Sequence, residues 1–153
     1  MFHVKQQAIV LNGLPTPFLA NLLAELHSAL PGLLRFDVAL LASARHQDAG
    51  GLQQAMHFCL PALLQAGQTL LVAHAWSDTP AKRELLTELA GYEICLLGVH
   101  QQEDSAGLHE GFEYDGAWDT ASCNDPALLA RRILDFLPEA GSAGGRLSLQ
   151  GLL

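Results

Sequence analysis

The stretch Gln7-Ala-Ile-Val-Leu-Asn-Gly13-Leu-Pro-Thr-Pro-Phe-Leu-Ala20-Asn-Leu-Leu-Ala-Glu-Leu-His-Ser-Ala-Leu30 decides how the rest of the chain is read. Ala8 to Leu11 is a short apolar run, and Asn12-Gly13 is a turn pair. Phe18, Leu19, Leu22, Leu23 and Leu26 then recur at helical spacing, a face suited to packing on a sheet. Strand, glycine turn and amphipathic helix in that order open many phosphate-binding α/β domains. There the turn's N–H groups and the helix N-terminus together form an anion site.

The motif that uses this frame is G-x-x-x-x-G-K-[ST], in which the lysine reaches the β/γ-phosphates and the hydroxyl serves the metal. Counted from Gly13, the second glycine falls on Phe18, the lysine on Leu19 and the hydroxyl residue on Ala20. Pro15 and Pro17 remove two further backbone N–H groups from the turn. The frame is present and its charged chemistry is not. Gly13 and Thr16 are the residual candidates for phosphate contact, and Gly13 reads first as a turn glycine.

A chain of 153 residues, half of them hydrophobic, can build one domain with a substantial core. The mean hydropathy of +0.20 argues against global disorder. No apolar run is long enough to span a bilayer and the N-terminus lacks a signal pattern, so a soluble cytoplasmic protein is expected. Cys59, Cys95 and Cys123 are odd in number, widely spaced and without C-x-x-C, which fits reduced thiols. The formal net charge is −8, and no Lys or Arg occurs between Glu84 and Ala130. Nucleic-acid affinity comes from cations on phosphates, so that partner class is disfavoured.

Taken in order, Leu34 to Leu41 reads as a second strand, and a turn at Asp48–Gly51 leads to a helix over Leu52–Gln65 closed by Gly67. Gln68–His74 is an unbroken apolar strand of the kind buried on both faces. Ser77 or Asp78 caps a helix over Pro80–Leu89. Tyr92–Val99 is the fourth strand and Tyr114–Trp118 a possible fifth, before a last helix opened by Asp125-Pro126. The alternation predicts a three-layer α/β/α sandwich with a mostly parallel five-stranded sheet. Residues 1–138 form the single domain; 139–153, with four glycines and two serines, form a flexible tail.

Several segments agree in order and spacing with one family. They are Ile9-Val-Leu-Asn-Gly13, Leu52 to Val72 with its Leu63-Leu-Gln-Ala-Gly-Gln-Thr-Leu-Leu-Val72, and Leu89-Ala-Gly-Tyr-Glu-Ile-Cys-Leu-Leu-Gly-Val-His100. His109-Glu-Gly-Phe-Glu-Tyr-Asp-Gly-Ala-Trp-Asp-Thr120 follows, then Asp125-Pro126 and Ala130-Arg-Arg-Ile-Leu134. Over residues 7–137 the chain resembles the chloramphenicol phosphotransferase-like family of P-loop kinases. The resemblance implies a P-loop kinase-like sheet of strand order 2-3-1-4-5 and, in that family, phosphoryl transfer from ATP to a small hydroxyl-bearing molecule.

The departures are systematic. Besides Phe18-Leu19-Ala20, the family's catalytic aspartate after the second strand is Ala39 here, with Asp37 two residues earlier and about 7 Å away. The carboxylate before the histidine that ends strand three is Ala73, and the arginine-rich lid is reduced to Gln101–Leu108 without an arginine. Phosphoryl transfer rests on positioning and charge stabilisation. No catalytic residue is therefore assigned, and no cofactor or metal is expected.

The candidate pocket gathers Asp37, His74, Trp76, His100, Tyr114 and Trp118 at the carboxyl edge of the sheet, where open α/β folds place ligands. His74 and His100 end the strands that flank strand one, and His109, Glu110, Glu113 and Asp115 are near enough in sequence to make N/O metal coordination conceivable. No tight H-x-x-x-H spacing supports it, and hydrogen-bonded edge histidines are the default. Trp76, Phe112, Tyr114 and Trp118 read either as an aromatic wall for a ligand or as aromatics closing the sheet top. The preferred function is a catalytically silent kinase relative that binds a protein partner or its own copy. The alternatives are a diverged ATP-dependent phosphotransferase, which needs a relocated cation from Lys5, Arg35, Arg45, Lys82, Arg83, Arg131, Arg132 and Arg146, and a small-molecule binding domain that keeps the acceptor pocket without ATP.

Overall fold

The computed structural model describes residues 6–37, 49–137 and 146–147. Its centre is β1 (Ala8–Asn12), parallel to β3 (Leu70–His74) on one side and to β4 (Ile94–His100) on the other. β2 (Leu34–Asp37) pairs with β3, and β6 (Gly116–Asp119) with β4, giving the parallel order β2-β3-β1-β4-β6. This is the expected order, with one short extra strand, β5 (Phe112–Glu113), intervening in sequence. All five residues of β1 are buried, as a strand covered on both faces must be.

Strand alternation divides the core in two. Ile9, Leu11, Leu71, Ala73, Cys95, Leu97 and Val99 face α1 (Pro17–Ala29) and, across the chain, α4 (Pro126–Phe136). Ala8, Val10, Leu70, Val72, Ile94 and Leu96 face the opposite layer, α2 (Ala49–Gln65) and α3 (Thr79–Glu88). Each of three helices starts on a side chain that satisfies a free N–H: Thr16 accepts from Leu19, Asp78 from Ala81 and Asp125 from Ala127. A proline follows within two residues in all three. Gly67 and Gly91, both at positive φ, let the chain leave α2 and α3.

Two boundaries differ from expectation. Ala49–Gly51, expected in a turn, belong to the first turn of α2, where an unpaired N–H is normal and glycine costs little. The expected strand Tyr114–Trp118 starts two residues later and runs one residue further, as β6 (Gly116–Asp119), with β5 lying just before it. Asp115 N donates to Leu96 O, and Asp115 Oδ2 accepts from Leu96 N, both at 2.8 Å. A carboxylate thus stands where a strand carbonyl would, and the ladder with β4 begins only at Gly116. Within the stretch expected to be a loose tail, Arg146–Leu147 form β7, antiparallel to β5; 138–145 and 148–153 lie outside the described residues. So do 38–48, which hold the end of the expected second strand and Ala39. Among the described residues no helix is long and apolar enough to cross a membrane.

Candidate functional site

The turn after β1 is closed from within. Gly13 N donates to His74 O at 3.2 Å and Thr16 N to Leu14 O at 2.8 Å, so neither N–H points outward to an anion. The Thr16 hydroxyl accepts from Leu19 N at 3.2 Å and donates to Gln101 Oε1, while Gln101 Nε2 donates to Leu14 O at 3.1 Å. Leu19 is 3% exposed and packs with Leu22, Leu23 and Val99 in the α1 core. A Cβ placed on Gly13 would sit 3.5 Å from Leu19 Cδ2, so the leucine lies directly against the turn. Phe18 is half-buried against the same core.

Asn12, the last residue of β1, is fully buried and ties the two sides of the carboxyl edge together. Its Oδ1 accepts from Trp76 N at 2.8 Å, and its Nδ2 donates to Leu108 O and Tyr114 Oη, both at 2.9 Å. On the β3 side, Trp76 is completely buried, meets His74 edge-on at 5.1 Å, and donates from Nε1 to His57 Nε2 at 2.9 Å. The proton of a neutral His57 then sits on Nδ1, 3.2 Å from Glu84 Oε1, outside good hydrogen-bond geometry. On the β4 side, the ring of His100 lies 3.9 Å from that of His109. His109 contacts Tyr114 Oη through Nδ1 and Asp104 Oδ2 through Nε2, the latter at 2.8 Å.

The electrostatics describe a buried polar network rather than an activated nucleophile. Burial pushes the Tyr114 hydroxyl up to about 12, outweighing the Asn12 hydrogen bond that favours ionisation. Burial also lowers His109 below the ordinary histidine value, against the opposing bond from Asp104. Lys82 is 2% exposed and its ammonium is depressed by burial. It donates to Gly107 O and Glu110 O at 2.7 and 2.5 Å and lies 5.2 Å above the Phe112 ring. Lys82, one of the eight cations available for a relocated site, is thus holding the 101–111 loop in place.

The expected pocket residues separate into groups. His74 and Trp76 sit together, His100 and Tyr114 sit together, and Asn12 joins the two. Trp118 is elsewhere: it is in register with Val99, which faces α1, and it meets Phe136 of α4 edge-on at 5.3 Å. The single aromatic wall is therefore not assembled; Trp76, Phe112 and Tyr114 share the α2/α3 face and close the sheet top there. Asp37 ends β2 in register with Ala73, and its side chain lies outside the described residues. Glu113 is exposed on β5. Asn12, His57, Gln101 and Asp104 were not expected in the site, and Lys82 was expected only as one possible relocated cation. Of these, Lys82 carried a readable signal, since it shares a helical stripe with Leu85 and Leu89.

No family model and no curated protein matches the sequence. Solved structures do match. A tunicamycin resistance protein from Deinococcus radiodurans aligns over 94% of this chain and 99% of its own, at 18% identity and a TM-score of 0.60. A sugar kinase from Janibacter sp. aligns over 90% of this chain and 99% of its own, at 14% identity and 0.61. A de novo designed P-loop fold protein aligns over 86% and 92%, at 12% identity and 0.53. Together with the β2-β3-β1-β4-β6 parallel sheet, these likenesses show that the chain has a P-loop kinase-like α/β fold.

Proposed function

We propose that this chain is a catalytically silent relative of the P-loop kinases, acting in the cytoplasm by binding a protein partner or a second copy of itself. The observation that carries the reading is Leu19. Where the motif puts a phosphate-binding lysine, this chain has an apolar side chain 3% exposed and packed against Gly13. A lysine in that packing would be a buried charge, and a leucine there offers phosphate nothing. The engaged N–H groups of Gly13 and Thr16 support the same reading, as does the occupied Thr16 hydroxyl. A degenerate phosphate loop of this kind keeps the fold's packing while losing its ligand.

Binding of a macromolecule is supported at the β2 edge. Among the described residues β2 pairs on one side only. Leu34, Arg35, Phe36, Cys59, Ala62 and Leu63 line an open apolar groove of about 470 Å³ beside it. Leu34 is 41% exposed, and Phe58, next to Cys59 on α2, is 83% exposed. Unpaired strand edges with apolar surroundings are the places where other chains add.

A thermal-shift panel with Mg·ATP, Mg²⁺ alone and small aminoglycoside- or phenicol-like alcohols tests the reading. A ligand at a hundredfold excess over its Kd adds about 2.7 kcal/mol to stability, a readily seen shift. The expected result is no shift from any of them. A shift with Mg·ATP returns the chain to the phosphotransferases, and a shift with an alcohol alone makes it a small-molecule binding domain.

A further inference from the structure

Among the described residues, one cluster of side chains outside the phosphate-loop position has the composition of a ligand set. His100, at the end of β4, and Asp104 and His109, in the following loop, each offer one ligand atom, and the three atoms lie within 4.8 Å of one another. Asp104 Oδ2 and His109 Nε2 are 2.8 Å apart. A second observation is independent of that clustering. Asp104 Oδ1 is buried and has no hydrogen-bond partner among the described residues. Buried carboxylate oxygens are normally satisfied, and one left bare beside two imidazoles marks a place for a cation.

The geometry points to a divalent transition-metal site of the zinc type, held by His100, Asp104 and His109. Two imidazoles and one carboxylate favour Zn²⁺ and its neighbours over Mg²⁺ or Ca²⁺, which take mostly oxygen ligands. In a tetrahedral zinc site neighbouring ligand atoms are about 3.3–3.5 Å apart, so no pair shifts by more than about 1.5 Å: the 2.8 Å contact of Asp104 Oδ2 with His109 Nε2 opens slightly and any wider pair closes. His100 is only half-buried, so its ring is reached from the solvent side.

The surroundings are those of a supported site. A metal-bound histidine usually passes its other N–H to an oxygen acceptor, which fixes the tautomer. With Nε2 on the ion, His109 Nδ1–H faces the Tyr114 oxygen, itself held by Asn12 Nδ2 at 2.9 Å. Asp104 Oδ2 is oriented by Gln101 N at 2.9 Å. Gln101 in turn holds Thr16 and Leu14, so the ion fastens the 101–109 loop across the turn that follows β1. The inference concerns metal binding and does not depend on whether the chain is catalytically silent.

The test is titration of the chelator-stripped full chain with Zn²⁺, in competition with a chromophoric chelator, and with Co²⁺ followed by visible absorption. One ion per chain is expected, with nitrogen/oxygen ligand-field bands and a raised Tm. Asp104→Asn, nearly isosteric and still able to accept from Gln101 N, should stay folded by circular dichroism. It should weaken Zn²⁺ binding by at least about 100-fold, as should His100→Ala. Tyr114→Phe, which leaves all three ligands in place, should weaken it by about 10-fold. The proposal is overturned by the absence of binding up to about millimolar Zn²⁺. It is equally overturned by affinity unchanged in both Asp104→Asn and His100→Ala, or by a Co²⁺–thiolate band that places the ion at a cysteine.

Discussion

Replacing Asn12 by alanine removes three hydrogen bonds and leaves two buried backbone groups without partners. Trp76 N loses the Oδ1 it donates to, and Leu108 O loses its Nδ2 donor. Both Trp76 and Leu108 are completely buried, so water does not readily replace the lost partner. The Tyr114 hydroxyl keeps His109 and is not orphaned. Each buried polar group left unpaired costs about 1–3 kcal/mol, so Asn12→Ala should destabilise by about 2–6 kcal/mol. Against a typical total of roughly 5–15 kcal/mol, that is a large fraction. Urea unfolding followed by Trp fluorescence measures it as a fall in midpoint with unchanged slope. Asn12→Asp should do no better near neutral pH. Its second oxygen would face Leu108 O and Tyr114 Oη, which now receive hydrogen bonds from Nδ2. A loss below about 1 kcal/mol for Asn12→Ala would refute the view that Asn12 joins the two sides of the site, because a surface asparagine behaves that way.

Gly98→Ala should destabilise by about 1–3 kcal/mol, since a Cβ there would lie 2.4 Å from Cε2 of the Tyr114 ring. The ring cannot swing aside without breaking its contacts to Asn12 and His109, and a coupling measured with Tyr114→Leu should recover part of the loss. Alkaline stability should depend on Cys95. Burial, reinforced by Asp115, raises its thiol from 9.0 to about 12. The unfolded chain therefore releases this proton first, so the contribution is complete below pH 9 and is lost as pH rises towards 12. At about 1.4 kcal/mol per pH unit the loss is on the order of 4 kcal/mol, and Cys95→Ala should flatten the alkaline limb of an unfolding-versus-pH curve.

The parts of the fold that sequence disclosed are those written locally. The apolar run of β3, the capping residues Thr16, Asp78 and Asp125, and the glycines after α2 and α3 are short-range signals that packing reinforces. The order of strands came from the family resemblance, and the register of β1 with β3 and β4 agrees with it. The site was less legible because its bonds join distant positions. His57 and Trp76 meet from α2 and the exit of β3, and Asn12 reaches Tyr114 across 102 residues. No spacing encodes either. The grouping of Trp118 with Trp76 failed on strand parity, which becomes readable only when Trp118 is set in register against Val99. Lys82 was one of the cations available for a relocated site, although its stripe with Leu85 and Leu89 already pointed inward; a buried lysine needs carbonyl partners, and these come from a loop 25 and 28 residues away.

The reading proposed for this chain is that the turn after β1 does not receive a nucleotide. Isothermal titration of the wild-type chain with Mg·ATP tests it most directly. On the proposed reading, Leu19 packed on Gly13, the engaged N–H groups of the turn and a Lys82 committed to loop carbonyls are what deny a triphosphate its donors there. The account predicts no saturable heat, or an affinity no tighter than about millimolar, roughly −4 kcal/mol. A saturable one-to-one isotherm in the micromolar range, abolished by adding a bulky side chain at Gly13, would contradict it and place a working nucleotide site in this turn.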